Sequence, residues 1–80
     1  MKAIVNVYLK DGVLDPQGKA VHHALETHGF NTVKDVRVGK QIVIQLSESD
    51  EIKAKEKAIE MTEELLANTA IEDYDIEIIK

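Results

Sequence analysis

The eighty residues offer few groups that could make or break a bond. There is no cysteine, which excludes a thiolate nucleophile, a thiolate metal site and a disulfide framework. Three histidines remain. His22 and His23 are neighbours and diverge by about 100° on a helix, and His28 follows too late to share a metal with either at i, i+4 spacing. Each reads as a hydrogen-bonded or solvent-facing histidine. Carboxylates are plentiful, but most stand beside lysines on one helix, with no pocket signature of the kind that tunes an acid–base pair. Gly12 and Gly18 form neither G-x-G-x-x-G nor a Walker loop. The one compact basic feature is Arg37-Val38-Gly39-Lys40. A glycine between two cations could let main-chain amides and side chains meet an anion; the plainer reading is a hairpin turn with exposed charge. No catalytic, cofactor-binding or metal-ligating residue emerges.

These groups must be positioned by a small structure. Eighty residues with a net charge of -5 allow a single domain over 1–80, too short for a second core. Hydrophobic residues at 44% place it among globular rather than disordered chains. No apolar run approaches the ~20 residues of a membrane span. Met1-Lys2-Ala3-Ile4-Val5-Asn6 enters a strand-like alternation instead of the apolar core of a signal peptide, so a cytoplasmic location is expected. Charge is uneven: residues 1–47 carry six cations against four acids, and residues 48–80 four against eleven. An acidic second half argues against a continuous nucleic-acid surface and suits a solvated helix face or an acidic docking face.

Six elements follow from the pattern. Residues 2–10 alternate, with Ala3, Val5, Val7 and Leu9 on one face and Ile4, Asn6, Tyr8 and Lys10 on the other. Asp15 before Pro16 is a helix start, and Val21, Ala24, Leu25 and His28 continue a helix over 16–28 that Gly29 ends. Thr32–Val38 and Gln41–Leu46 read as two strands folded into a hairpin at Gly39-Lys40, with one long bent strand as the alternative. Ser47 to Asp50 offer N-caps for a helix reaching about Ala67, whose apolar stripe is Ile52, Ala58, Ile59, Thr62, Leu65 and Leu66. Residues 73–79 alternate again.

The order β-α-β-β-α-β predicts a ferredoxin-like α+β fold: a four-stranded antiparallel sheet with two helices on one face. Its other face would carry Ile4, Tyr8, Val43 and Ile79, which favours a homodimer or larger assembly. RNA recognition on such a sheet needs exposed aromatics on central strands, and only Tyr8 qualifies. A ligand-binding regulatory module stays open as an alternative.

The run Leu9-Lys10-Asp11-Gly12-Val13-Leu14-Asp15-Pro16-Gln17-Gly18-Lys19-Ala20 resembles the opening signature of the PurS family, the small subunit of phosphoribosylformylglycinamidine (FGAM) synthase. Val36-Arg37-Val38-Gly39-Lys40 resembles its second motif, and Leu65-Leu66-Ala67-Asn68 with Ile71-Glu72-Asp73-Tyr74 its closing region. The resemblance implies a non-catalytic subunit of a glutamine-dependent, ATP-consuming ligase in purine synthesis. It implies as partners a large synthetase subunit (PurL), which holds ATP and magnesium, and a glutaminase subunit (PurQ), with no cofactor on this chain and no nucleic acid or membrane. Its role would be to join the two and help ammonia pass between them. The candidate partner-interface residues are Arg37, Gly39, Lys40, Asp15 and Tyr8. Arg37 and Lys40 are expected on an exposed turn that contributes little to folding.

Overall fold

The computed structural model describes all residues, 1–80. The chain forms β1 (Lys2–Leu9), α1 (Pro16–Thr27), β2 (Gly39–Gln45), α2 (Glu51–Met61), a π turn (Thr62–Leu66) and β3 (Glu72–Ile79). The sheet has three strands in the order β2-β1-β3, both neighbours antiparallel to β1. The expected four-stranded ferredoxin-like sheet is therefore not formed: the order is β-α-β-α-β with three strands. The missing strand is Thr32–Val38, which lies outside the ladder. A two-residue hairpin at Gly39-Lys40 needs positive φ in the turn, yet only Gly12 (86°) and Gly29 (90°) have it. The chain instead runs on through Gly39 into β2, as the long-strand alternative has it.

Register explains the faces. Ala3 lies opposite Ile44 and Ile78, Val5 opposite Ile42 and Ile76, and Val7 opposite Tyr74. This is the helix-covered face, and Ala3, Val5 and Val7 are fully buried on it. α2 lies over β1 and β3 and buries Ala54 and Ala58, and Thr62 at the start of the π turn is buried next to them. The Thr62 hydroxyl is satisfied by the Ala58 carbonyl at 2.7 Å. The stripe read from the sequence was only partly right. Ala58 and Thr62 do face the sheet, but Ile52 and Leu65 are 72% and 84% exposed. Small side chains at i, i+4 and i+8 seat the helix on the strands, and the bulky ones flank it. Asp50 caps α2, accepting from the Ile52 amide, and the Ala67 N–H reaches the Thr62 carbonyl at 2.9 Å to close the π turn.

On the opposite face Ile4 pairs across from Val43, and Tyr8 from Gly39 and Asp73. Asn6 is the centre of a polar ladder that spans all three strands: Gln41 Nε2 donates to its Oδ1 at 3.0 Å, and its Nδ2 donates to Asp75 Oδ1 at 2.8 Å. This face is bare, and Tyr8, Val43 and Ile79 on it are exposed.

α1 does not pack on the sheet. It stands out with residues 28–38 as an arm, and the molecule measures 48 × 26 × 14 Å. Its radius of gyration is 15.9 Å, where a compact chain of this length has about 12 Å. No helix is long and apolar enough to cross a membrane.

Candidate functional site

The arm leaves the sheet at one junction, and the sequence-predicted residues gather there. Asp15 precedes a proline at the first helical position, so its carboxylate is placed over the orphan amides of the first turn. Oδ1 accepts the Gly18 N–H at 2.9 Å. Oδ2 accepts the Val38 N–H at 2.8 Å. One carboxylate thus caps α1 and holds the entry to β2, although 23 residues separate the two partners. Asp15 is 5% exposed. The Val38 amide first, then the Gly18 amide, with the Arg37 charge adding to them against the cost of burial, hold its carboxyl below the ordinary value of 3.8.

Arg37 closes the junction from the other side. Nη1 donates to the Val13 carbonyl at 3.3 Å, and Nη2 to those of Leu9 and Lys10 at 3.2 and 3.1 Å. The planar fork of guanidinium suits this gathering of carbonyls in a way a lysine cannot. Arg37 is exposed but not idle. It ties the 9–13 loop to the 36–39 crossing, so it is exposed as expected but does not sit on a free hairpin turn.

Glycine makes the close approaches possible. A Cβ on Gly18 would lie 2.3 Å from the Val36 carbonyl oxygen and 2.8 Å from Asp15 Oδ2. One on Gly39 would lie 2.7 Å from the Val7 carbonyl oxygen. Asp15, Gly39, Lys40 and Tyr8 line one hollow with Glu72. Arg37 borders the adjacent one, and Asp15 is common to both. All five candidates therefore sit at or beside one junction.

His22 acts further along the arm. Its Nε2 lies 2.9 Å from the Val33 carbonyl oxygen and donates to it in the Nε2–H tautomer; Glu26 is 3.8 Å away. His23 and His28 are exposed. No group of three or more histidine, aspartate or glutamate side chains is placed to hold a metal. The sequence reading missed the Gly18–Val36 contact, whose only sign is a glycine inside a helical pattern. It also missed Tyr74, whose hydroxyl donates to Glu63 at 2.6 Å; that bond, more than burial, raises the phenol above 10.0. A groove of about 600 Å³ beside α2 is lined by Ile52, Ile59, Ile76 and Ile78 under a mainly acidic rim. The junction binds main chain to main chain. It holds no nucleophile and no acid–base pair aimed at open space.

Known proteins place this geometry. Residues 2–80 match the model of the PurS family, phosphoribosylformylglycinamidine (FGAM) synthase. The chain is 49% identical to the phosphoribosylformylglycinamidine synthase subunit PurS of Bacillus subtilis, over 96% of this chain and 90% of that one. The crystal structure of Methanocaldococcus jannaschii PurS, one of the subunits of formylglycinamide ribonucleotide amidotransferase, superposes with a TM-score of 0.89 at 47% identity, covering 99% and 95% of the two chains. A chain of the structure of PurLQS from Thermotoga maritima superposes with a TM-score of 0.88 at 29% identity, covering 98% and 95%. The chain belongs to the PurS family.

Proposed function

We propose that this chain is the non-catalytic small subunit of an FGAM synthase and works by assembly, joining a large synthetase subunit to a glutaminase subunit. The observation that carries this reading is the likeness, along nearly the whole of both chains, to a subunit found in the PurLQS structure of Thermotoga maritima. The chemistry of the chain fits. Releasing ammonia from glutamine through a thioester needs a cysteine nucleophile, and the chain has none. Activating an amide oxygen with ATP needs convergent charge clamps and carboxylates for magnesium, and no three histidine or carboxylate side chains of this chain are placed together to hold a metal. In this reading, as the family resemblance implies, ATP and magnesium belong to the large subunit.

Assembly gives the junction its task. Ammonia passing between two active centres must be kept from bulk water, which is enclosure rather than bond-making. A subunit that contributes to enclosure needs surfaces of fixed relative orientation. Asp15 and Arg37 fix the arm against the sheet, and Tyr8, Gly39 and Lys40 form the surface beside that joint. Lys40 and the exposed edge of Tyr8 are the contacts offered to a partner. The test is co-purification with the large and glutaminase subunits in the presence of ATP, magnesium and glutamine. Retention of this chain with both supports the reading, and failure to associate with either under any of these conditions overturns it.

A further inference from the structure

The groove of about 600 Å³ beside α2 lies in the acidic half of the chain, between one flank of the helix and β3. Ile52 and Ile59 form its helix wall. They are seven residues apart and so share one side of α2, about 10 Å along its axis. Ile76 and Ile78 form its floor. The groove follows from how α2 is seated. Ala54 and Ala58 face the strands and are fully buried, so the two helix isoleucines stand off that contact. Ile52 is exposed, and Ile59, Ile76 and Ile78 are only half-buried.

What covers these side chains must lie in the helix layer. Ile76 and Ile78 stand opposite Val5 and Ala3 and share their helix-covered face. A strand added to the outer edge of β3 would lie in the plane of the sheet and leave Ile52 and Ile59 in water. A helix laid beside α2, at an axis spacing of about 8–10 Å, covers all four isoleucines at once. The rim sets the charge of that helix. Glu51, Glu56 and Glu77 stand there against Lys55 alone. Glu56 and Glu77 have no ion-pair partner within the chain. Glu51 already holds a cation, with Lys80 Nζ 3.6 Å from its Oε2. An acidic helix would be repelled by this rim, and an uncharged one would desolvate carboxylates without pairing them. Lysines or arginines along its flanks would pair with them.

We propose that this groove docks a basic amphipathic helix of one of the two other subunits, with aliphatic side chains on its inner face and lysines or arginines along its flanks. The proposal rests on the assembly reading and gives it a second surface. Joining two bodies takes two contacts, and the chain has them at opposite ends of the sheet. The Asp15–Arg37 junction lies by Leu9 and Glu72, at one end of the β1–β3 ladder, and the groove by Ala3 and Ile78, toward the other. One end is built of main-chain hydrogen bonds and the other of aliphatic side chains ringed by carboxylates, so the two surfaces suit different occupants.

Two charge reversals of equal size test this in the complex reconstituted with the large and glutaminase subunits. Glu56→Lys/Glu77→Lys inverts the rim, and Glu60→Lys/Glu64→Lys makes the same change in net charge at exposed positions of α2 and the π turn that do not line the groove. All four residues are exposed, and circular dichroism is expected to show both variants folded. The rim variant is expected to bind the other subunits at least about tenfold more weakly, and the control to change by less than about threefold. A second measurement uses the absence of cysteine: Glu56→Cys carrying a benzophenone is expected to crosslink, on irradiation of the complex, to a helical segment rich in lysine or arginine on one of the other subunits. Wild-type affinity of the rim variant, or equal weakening by both variants, overturns the proposal. So does a complex that assembles while the label at 56 captures no such segment. If the unmodified chain associates with neither subunit, the assembly reading fails and the groove proposal falls with it.

Discussion

The sheet with α2 and the arm with α1 are built on different physics. The body is held by apolar burial: Ala3, Val5 and Val7 against Ala54 and Ala58, none more than 2% exposed. The arm has no such core. It is held by one carboxylate, one guanidinium, one imidazole and one glycine contact, spread over Asp15, Arg37, His22 and Gly18. The body should therefore respond to side-chain volume and the arm to charge and to main-chain spacing. A chain so divided is only partly a finished object, since eight of its eighty residues are buried.

Volume in the body is the strongest way to break this contrast. Ala58→Leu places a large side chain where the small one is wholly enclosed, and overpacking of this kind costs about 1–3 kcal/mol. We expect the upper end, read by urea denaturation as a lower midpoint with both helices lost together. If α1 alone melts, the body is not the independent core described.

The next effect sharpens the contrast. A glycine inside a helix is ordinarily replaced by alanine with a gain of up to about 1 kcal/mol. At Gly18 the sign should reverse, because the new Cβ meets the Val36 carbonyl oxygen at 2.3 Å. Gly18→Ala is expected to cost roughly 1–2 kcal/mol, with amide-exchange protection lost in α1 and kept in β1. Unchanged or increased protection in α1 would remove the contact from the account.

The smallest effect is titration of the joint. The Asp15 carboxyl lies below 3.8 in the folded chain, so on acidification the unfolded chain takes up its proton first. Its stabilising contribution is whole above 3.8 and is lost as pH falls through the lower folded value. The Gly18 and Val38 amide resonances should both titrate, together and with a midpoint below 3.8. Asp15→Asn should abolish that step and weaken the joint at neutral pH, because one carbonyl oxygen with one orientation cannot serve both amides as two carboxylate oxygens do. Independent midpoints for the two amides would mean that Asp15 does not bridge them.

Much of the body could be read from residue order. Ala3, Val5 and Val7 alternate where the strand is, Asp15-Pro16 starts α1, and Ile42 and Ile44 mark β2, because local periodicity and capping are decided by near neighbours. Thr32–Val38 has the composition of a strand but not its pairing. Pairing depends on what lies alongside, and the hairpin that would bring β2 alongside needs a backbone conformation that Gly39 does not take. The position of α2 is legible in the pattern but its inward face only partly, since hydrophobicity ranks Ile52 above Ala54 although only the smaller lets the helix approach the strands. The family motifs point to Asp15 and Arg37, but what brings their segments to one junction is tertiary, the Val38 amide on the Asp15 carboxylate across 23 residues, which no local pattern carries.

The central claim is that this chain contributes assembly and no chemistry. Reconstitution of the large synthetase and glutaminase subunits with and without it tests that most directly, by comparing turnover driven by glutamine with turnover driven by free ammonia. The account predicts that adding the chain raises glutamine-dependent turnover at least tenfold while ammonia-dependent turnover of the large subunit stays unchanged, and that the chain alone hydrolyses neither glutamine nor ATP. Full glutamine-dependent turnover in its absence, or hydrolysis by the purified chain itself, would contradict it.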